Sequence, residues 1–139
     1  MLEEKKITIE VPASTGNVGP GFDCIGLAVD IWNKVTIEKS DGTFEILNQG
    51  ISKEKYDSIP IKENLITKGI LLACPEIDLN NFKIISENNI PFAGGLGSSA
   101  ASISAGLLIG NHLSGNKLNN DDLMQMAIAI EGHPDNATP

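Results

Sequence analysis

A glycine-rich stretch between a predicted strand and a predicted helix decides the fold of this chain: Pro91-Phe92-Ala93-Gly94-Gly95-Leu96-Gly97-Ser98-Ser99-Ala100-Ala101. Glycines let the backbone approach an anion closely, and the N–H groups at a helix start attract negative charge. The two serines add hydroxyl groups that can donate to phosphate or bind Mg²⁺. The stretch therefore predicts phosphate binding. A tight connection in which Ser98 or Ser99 only caps the helix is the alternative, and the two roles are compatible.

Three other glycine motifs fit this stretch less well. A P-loop needs Lys-Ser or Lys-Thr after the glycines, and neither follows them here. The pattern Gly95-x-Gly97-x-x-Ala100 matches a dinucleotide fingerprint, but that site also needs an acidic residue at the end of a second strand about 20 positions later. Residues 116–122 predict a helix start instead. A nucleophile elbow with Ser99 would need a second glycine at the place of Ala101.

The N-terminal third of the chain predicts strands. Ile7, Ile9 and Val11 alternate with polar residues, which predicts a half-buried strand that ends at Pro12. The β-branched and aromatic residues within 25–38 predict one long strand or two short ones.

A hairpin and a loop are predicted next. Asp41-Gly42 lies between two β-type runs and predicts a hairpin turn into a strand over residues 44–47. Residues 48–61 resemble a surface loop, and residues 82–86 predict a further strand that leads to the glycine-rich stretch.

Helices follow from apolar spacing and end signals. Asn64 predicts the N-cap and Pro75 the end of an amphipathic helix over residues 65–74. Residues 98–113 and 120–131 predict two more helices. This irregular mixture of strands and helices, with no repeat or linker, predicts one α+β domain.

Composition narrows the classes of partner. The 139 residues contain ten lysines and no arginine, and the formal net charge is −8. Nucleic-acid binding and anionic membrane binding are disfavoured, because both need a basic surface. No apolar run approaches the roughly 20 residues of a membrane span, and the first residues show no secretory signal. We expect a cytoplasmic protein.

The glycine-rich stretch resembles the P-x-x-x-G-L-G-S-S-A-A phosphate loop of the GHMP small-molecule kinases. Residues 11–23, VPASTGNVGPGFD, are similar to the first motif of the homoserine kinase branch of that family. Residues 131–136, EGHPDN, are similar to the signature hexapeptide of the same branch. The resemblance therefore runs in order over essentially the whole chain.

The resemblance implies a fold and a domain. Residues 1–139 would form the N-terminal, ATP-binding domain, with a ribosomal protein S5 domain 2-like fold that includes a left-handed β-α-β unit. The family also has a C-terminal α+β domain, which we expect to lie outside this chain. That domain contributes the arginines that hold the carboxylate of the amino acid in family members.

The resemblance also implies a reaction. The γ-phosphoryl group of ATP would be transferred to the side-chain hydroxyl of L-homoserine, which gives O-phospho-L-homoserine on the route to threonine, with Mg²⁺ as cofactor. A kinase for another small alcohol is one alternative. A catalytically inactive ATP-binding fragment that self-associates is another. The partners would be small molecules rather than nucleic acid or membrane, and a homodimer is left open.

The resemblance implies that the nucleotide site includes the residues of the glycine-rich stretch. Ser98 and Glu131 would hold Mg²⁺, and Asn64 would contact adenine, although it serves equally well as an N-cap. The phosphate loop would consist of Pro91, Phe92, Ala93, Gly94, Gly95, Leu96, Gly97, Ser98, Ser99, Ala100 and Ala101.

The homoserine site would come from both ends of the chain. Asp23 would pair with the substrate ammonium group, and Asn17 and His133 would bind its polar end. Asn136 would orient the reacting hydroxyl, and Asp135 is the nearest candidate for a catalytic base.

Overall fold

The protein has the mixed α+β architecture that the sequence predicts. The computed structural model describes residues 6–15, 27–51, 53–91 and 97–131. In these ranges short 3₁₀ turns at Ile61–Glu63 and Leu79–Asn81 accompany the main elements. The main elements, in chain order, are β1 (Lys6–Thr15), β2 (Leu27–Lys39), β3 (Glu45–Gln49), α1 (Lys53–Asp57), α2 (Leu65–Ala73), β4 (Phe82–Asn88), α3 (Ser98–Leu113) and α4 (Asn120–Glu131).

The sheet has the strand order β1-β2-β4-β3. β2 pairs antiparallel with β1 and with β4, whereas β3 runs parallel to β4. The predicted hairpin at Asp41-Gly42 is therefore wrong. Gly42 does adopt a positive φ of 91°, but β4 occupies the place beside β2 that a hairpin would have given to β3. The turn residues predict a bend in the chain and not the pairing partner.

β1 continues past the proline that was expected to end it. The strand runs to Thr15, and its register shifts between Pro12 and Ala13. β1 lies at an edge of the described sheet, where a residue without a backbone N–H can be accommodated at a bulge. The predicted strand end at Pro12 is wrong for this reason.

The remaining element predictions hold with small changes. Residues 25–38 contribute one long strand, β2, within the described part, and β4 extends two residues beyond the predicted strand to Asn88. The loop predicted over residues 48–61 contains the one-turn helix α1. The three predicted helices are present as α2, α3 and α4.

The helices cover one face of the sheet. The core cluster contains strand residues from that face and residues of α2 and α3, namely Ile7, Val35, Ile37, Ile66, Ile70, Ile84, Ala105, Ile109 and Leu113. The opposite face, which we call the open face, carries polar and charged side chains together with the exposed apolar side chains of Trp32 and Leu47. Its ion pairs are Lys83–Glu38 at 3.0 Å and Lys34–Glu87 at 3.8 Å.

Glycines bring α2 and α3 into direct backbone contact. A Cβ atom built on Gly106 would lie 2.2 Å from the carbonyl oxygen of Ile66, and one built on Gly110 would lie 2.6 Å from that of Ile70. These distances are shorter than any real Cβ contact, so both positions require glycine as packed. Ile66 lies against Gly106 and Ile70 lies against Gly110, so residue numbers increase together along the two helices. The two helices therefore run in the same direction.

Candidate functional site

The glycine-rich stretch connects β4 to the start of α3, as predicted. Gly97 is the N-cap residue of α3 and adopts the left-handed conformation, with φ 73° and ψ 34°. The backbone N–H of Ala101 donates to the carbonyl oxygen of Gly97 at 2.9 Å, which begins the helical ladder. Ser98 and Ser99 are thus the first two residues of the helix, and neither of them occupies the cap position.

This helix start is suited to an anion. A glycine N-cap has no side chain that could accept from the N–H groups of the first turn, and no side-chain cap bond is present. The aligned peptide dipoles of a sixteen-residue helix place a positive partial charge at the same end. Phosphate oxygens are the natural acceptors for such a site.

Packing holds the start of α3 against the sheet. Ala101 is only 4% exposed and clusters with Ala13 of β1 and with Ile90, which follows β4. Pro91, at the near end of the glycine-rich stretch, is half-buried. The two ends of the stretch are therefore anchored, whereas Phe92, Ala93, Gly94, Gly95 and Leu96 lie outside the described residues.

Asn64 caps α2. Its Oδ1 accepts from the backbone N–H groups of Ile66 at 2.9 Å and Thr67 at 3.2 Å, and the residue is only 7% exposed. The predicted N-cap role is confirmed, and the adenine contact stays a prediction. Since α2 and α3 run in the same direction, the capped end of α2 faces the same side of the domain as the start of α3.

α4 returns along α3. The side chain of Asn111 fixes the connection between them, since its Nδ2 donates to the carbonyl oxygen of Leu118 and its Oδ1 accepts from the N–H of Leu118, both at 3.0 Å. α4 then packs on α3 through a second cluster of buried residues, which includes Ile103, Leu107, Leu123 and Ala127. The last residue of α4 is Glu131, so the backbone leads this candidate ligand back toward the start of α3. The side chain of Glu131 is outside the described part of the structure.

Tyr56 is a site residue that sequence reasoning missed. Its phenol hydroxyl makes a hydrogen bond with the hydroxyl of Ser98, across 42 positions of sequence, and both side chains are partly buried. Tyr56 lies on α1, which is a single turn without apolar periodicity and was predicted as loop. No sequence signal could have connected it with the phosphate loop.

Hydrogen bonds fasten α1 to the sheet. The carboxylate of Asp57 accepts from Nδ2 of Asn48 on β3 at 2.9 Å and pairs with Lys53. The hydrogen bond from Lys53, together with that from Asn48, holds the pKa of Asp57 below its usual value. Asp57 is therefore a carboxylate at neutral pH, as this docking requires.

The remaining predicted site residues belong to the homoserine site. Asn17, Asp23, His133, Asp135 and Asn136 lie outside the described residues. Over the described ranges, no group of three or more His, Cys, Asp or Glu is arranged to hold a metal ion. A depression of about 440 Å³ lies on the open face, between Trp32, Lys34 and Glu87. It is on the side of the sheet away from α3 and is not part of this site.

Comparisons with known proteins show the family of the chain. The family model described as GHMP kinases N terminal domain matches residues 64–139, which include α2, the glycine-rich stretch, α3 and α4. The chain belongs to the GHMP kinase family. Its α+β fold is the ribosomal protein S5 domain 2-like fold of the N-terminal domain in that family.

Individual relatives show which members of the family this chain is similar to. A homoserine kinase from Clostridium novyi (strain NT) is 40% identical over 136 residues, which cover 96% of this chain and 44% of the relative. The solved structure of a homoserine kinase from Cytophaga hutchinsonii ATCC 33406 superposes with a TM-score of 0.77 at 30% identity, covering 100% of this chain and 47% of that one.

A more distant member shares the fold alone. Mevalonate kinase from methicillin-resistant Staphylococcus aureus MRSA252 superposes with a TM-score of 0.69 at 20% identity, over 96% of this chain and 49% of that one. This GHMP kinase chain thus spans less than half the length of each of these three relatives. In the described part of it, no helix is long and apolar enough to cross a membrane.

Proposed function

We propose that this GHMP kinase chain contributes the ATP site and part of the substrate site of a homoserine kinase. The observation that carries the proposal is its likeness to homoserine kinases, which extends over 96% of the chain at 40% identity in one relative. The glycine N-cap at the start of α3 supports it, because this feature suits the phosphates of ATP. Residues 1–139 then act as the N-terminal, ATP-binding domain of the enzyme.

The phosphate groups of ATP bind at the glycine-rich stretch. The backbone N–H groups of Gly95, Leu96 and Gly97, with the hydroxyl groups of Ser98 and Ser99, donate to the phosphate oxygens. Pro91 and Ala101 mark the two anchored ends of this loop. Asn64, at the neighbouring end of α2, contacts the adenine base.

Ser98 and Glu131 hold Mg²⁺ in this proposal. A hydroxyl and a carboxylate are oxygen ligands of the kind that Mg²⁺ prefers, with water and phosphate oxygens completing its shell. The residues present fit that role, because Ser98 begins α3 and the backbone of α4 leads Glu131 toward the same end. When bound, the cation neutralises negative charge on the phosphates.

The reaction joins one oxygen to phosphorus and releases another. The side-chain hydroxyl oxygen of L-homoserine bonds to the γ-phosphorus of ATP, and the bond from that phosphorus to the bridging oxygen breaks, which leaves ADP and O-phospho-L-homoserine. Asp135 is the candidate acceptor of the hydroxyl proton, and Asn136 orients the hydroxyl. Asp23 pairs with the ammonium group, while Asn17 and His133 bind the rest of the polar end.

The same proposal implies the partners and the cellular location of the protein. Its partners are L-homoserine and ATP rather than nucleic acid or membrane, and its place is the cytoplasm, where ATP is available.

The test is ADP formation from Mg-ATP, with and without L-homoserine, by the protein in its full natural length. We expect ADP release to depend on L-homoserine and mevalonate not to replace it. Release that depends on another alcohol would keep the kinase family and reject homoserine as substrate.

Two substitutions test the metal ligands in the same assay. Ser98→Ala and Glu131→Gln should each lower kcat by roughly two orders of magnitude, since a bound metal contributes several kcal/mol to such a transition state. Ser104→Ala is the matched control, because Ser104 is a half-buried serine on the same helix. Turnover near that of the control would reject the assignment of either ligand.

A further inference from the structure

The hydrogen bond between Tyr56 and Ser98 joins α1 to the first residue of α3, across 42 positions of sequence. α1 is the only described element of the segment between β3 and the turn at Ile61–Glu63, and it is fastened to β3 by Asp57 and Asn48. From this anchored turn, Tyr56 reaches the first residue of α3. The chain contains no other tyrosine.

The chemistry of the two hydroxyl groups limits what this bond can do. Each is a single donor with two acceptor lone pairs. A hydrogen bond between them fixes a direction, since it decides where the hydrogen and the lone pairs of the Ser98 hydroxyl point.

That direction matters for a metal ligand. A serine hydroxyl binds a cation through an oxygen lone pair, so its hydrogen has to be donated elsewhere. The phenol oxygen of Tyr56 is an acceptor already within hydrogen-bond distance of Ser98. With the hydrogen donated to Tyr56, both lone pairs of the Ser98 hydroxyl stay available, and one of them can bind the cation.

We propose that Tyr56 is a positioning residue, which orients the hydroxyl of Ser98 for binding of the divalent cation that accompanies ATP. This inference rests on the proposed function, because it takes Ser98 to be a ligand of that cation. α1 then does more than connect β3 to α2, since it carries the Tyr56 hydroxyl, which orients the Ser98 hydroxyl at the start of α3.

The test compares Tyr56→Phe with the wild-type protein in its full natural length. The readout is the binding of a fluorescent ATP analogue, mant-ATP, followed by anisotropy in excess Mg²⁺ and again in EDTA. Tyr56→Phe keeps the ring and removes only the hydroxyl, so we expect a roughly fivefold weaker affinity in Mg²⁺, which is the size of one hydrogen bond. The affinity in EDTA should be unchanged. An equal loss in both conditions would overturn the inference.

A second substitution checks the route by which Tyr56 acts. Asp57→Asn weakens the attachment of α1 to β3, which holds Tyr56 beside Ser98. We expect Asp57→Asn to weaken mant-ATP binding in Mg²⁺ by less than Tyr56→Phe does, because the Tyr56 hydroxyl is still present, and to leave the affinity in EDTA unchanged. A loss in EDTA as well would mean that α1 acts by packing and not through the Ser98 hydroxyl, and the proposal would fail.

A double-mutant cycle ties the effect to Ser98. In the Ser98→Ala background, Tyr56→Phe should cause no further loss, because the hydroxyl that it orients is gone. Additive losses would contradict the proposal. If Ser98→Ala abolishes the dependence on Mg²⁺ and Tyr56→Phe does not alter it, only the role of Tyr56 falls. If Ser98→Ala itself leaves that dependence intact, the metal assignment in the proposed function falls first.

Discussion

Asn64 has a structural role that can be separated from the binding role proposed for it. Its Oδ1 caps α2 through two backbone N–H groups, so Asn64→Ala should lower the free energy of unfolding by about 1 kcal/mol. Asn64→Ser restores a capping oxygen and should return the stability to within a few tenths of a kcal/mol. Urea unfolding of the three proteins measures this difference.

The same pair of variants tests the adenine contact. Serine cannot present an amide to a base edge, so both Asn64→Ala and Asn64→Ser should weaken ATP binding by roughly fivefold, the value of one hydrogen bond. Recovery of ATP affinity together with stability in Asn64→Ser would mean that Asn64 serves the nucleotide only by capping α2.

At the scale of elements, the contact between α2 and α3 depends on glycine. Gly106→Ala places a methyl group where the carbonyl oxygen of Ile66 now lies, and relief requires the helices to separate. We expect the free energy of unfolding to fall by about 1 to 3 kcal/mol, despite the better helix propensity of alanine. Lys68→Ala, at an exposed position of α2, is the control and should stay within about 0.5 kcal/mol of the wild-type protein. Wild-type stability of Gly106→Ala would show that the two helices can move apart at little cost.

The sequence predicts individual elements better than their partners. α2 and α3 were predicted because apolar spacing, the cap at Asn64 and the glycine-rich stretch are local signals. The pairing of β3 was not predicted correctly. Asp41-Gly42 indicates a turn, but long-range packing decides whether β3 or β4 pairs with the edge of β2. The prediction that β1 ends at Pro12 was wrong for a related reason. Whether a proline ends a strand depends on whether the strand lies at an edge of the sheet, and the local sequence does not show this.

The phosphate site was predictable in part for the same physical reason. Gly97, Ser98 and Ser99 stand together in sequence, and their motif predicts a helix start that the structure confirms. Tyr56 meets Ser98 only because α1 is fastened to β3 and β3 pairs with β4. A contact that depends on these two steps of tertiary assembly leaves no trace in residue spacing.

For the whole molecule, the layered arrangement makes the one tryptophan a reporter of a single surface. Trp32 is 40% exposed on the open face, where its Nε1 donates to Asp30 at 2.6 Å. Burying the neighbouring ion pairs in an interface would cost their hydration, so we do not expect a second copy to cover this face. Acrylamide should therefore quench Trp32 fluorescence to the same extent in dilute and concentrated samples.

A second measurement tests whether a second copy covers the open face. Sedimentation velocity over the same concentrations reports whether the protein associates at all. Association with unchanged quenching would place a homodimer interface elsewhere, whereas association with reduced quenching would show that the open face is covered.

The position of β4 between β2 and β3 also sets an order of events during synthesis. β1 and β2 can pair as soon as both have left the ribosome, but β3 emerges with no strand available to it, because its only neighbour in the described sheet is made after α2. Until then its backbone N–H and C=O groups are open to pairing with other chains. The interval between translating Gln49 and translating Phe82 is therefore the time at which a nascent chain of this protein most needs protection, and a pause in translation there would increase aggregation more than the same pause after Asn88.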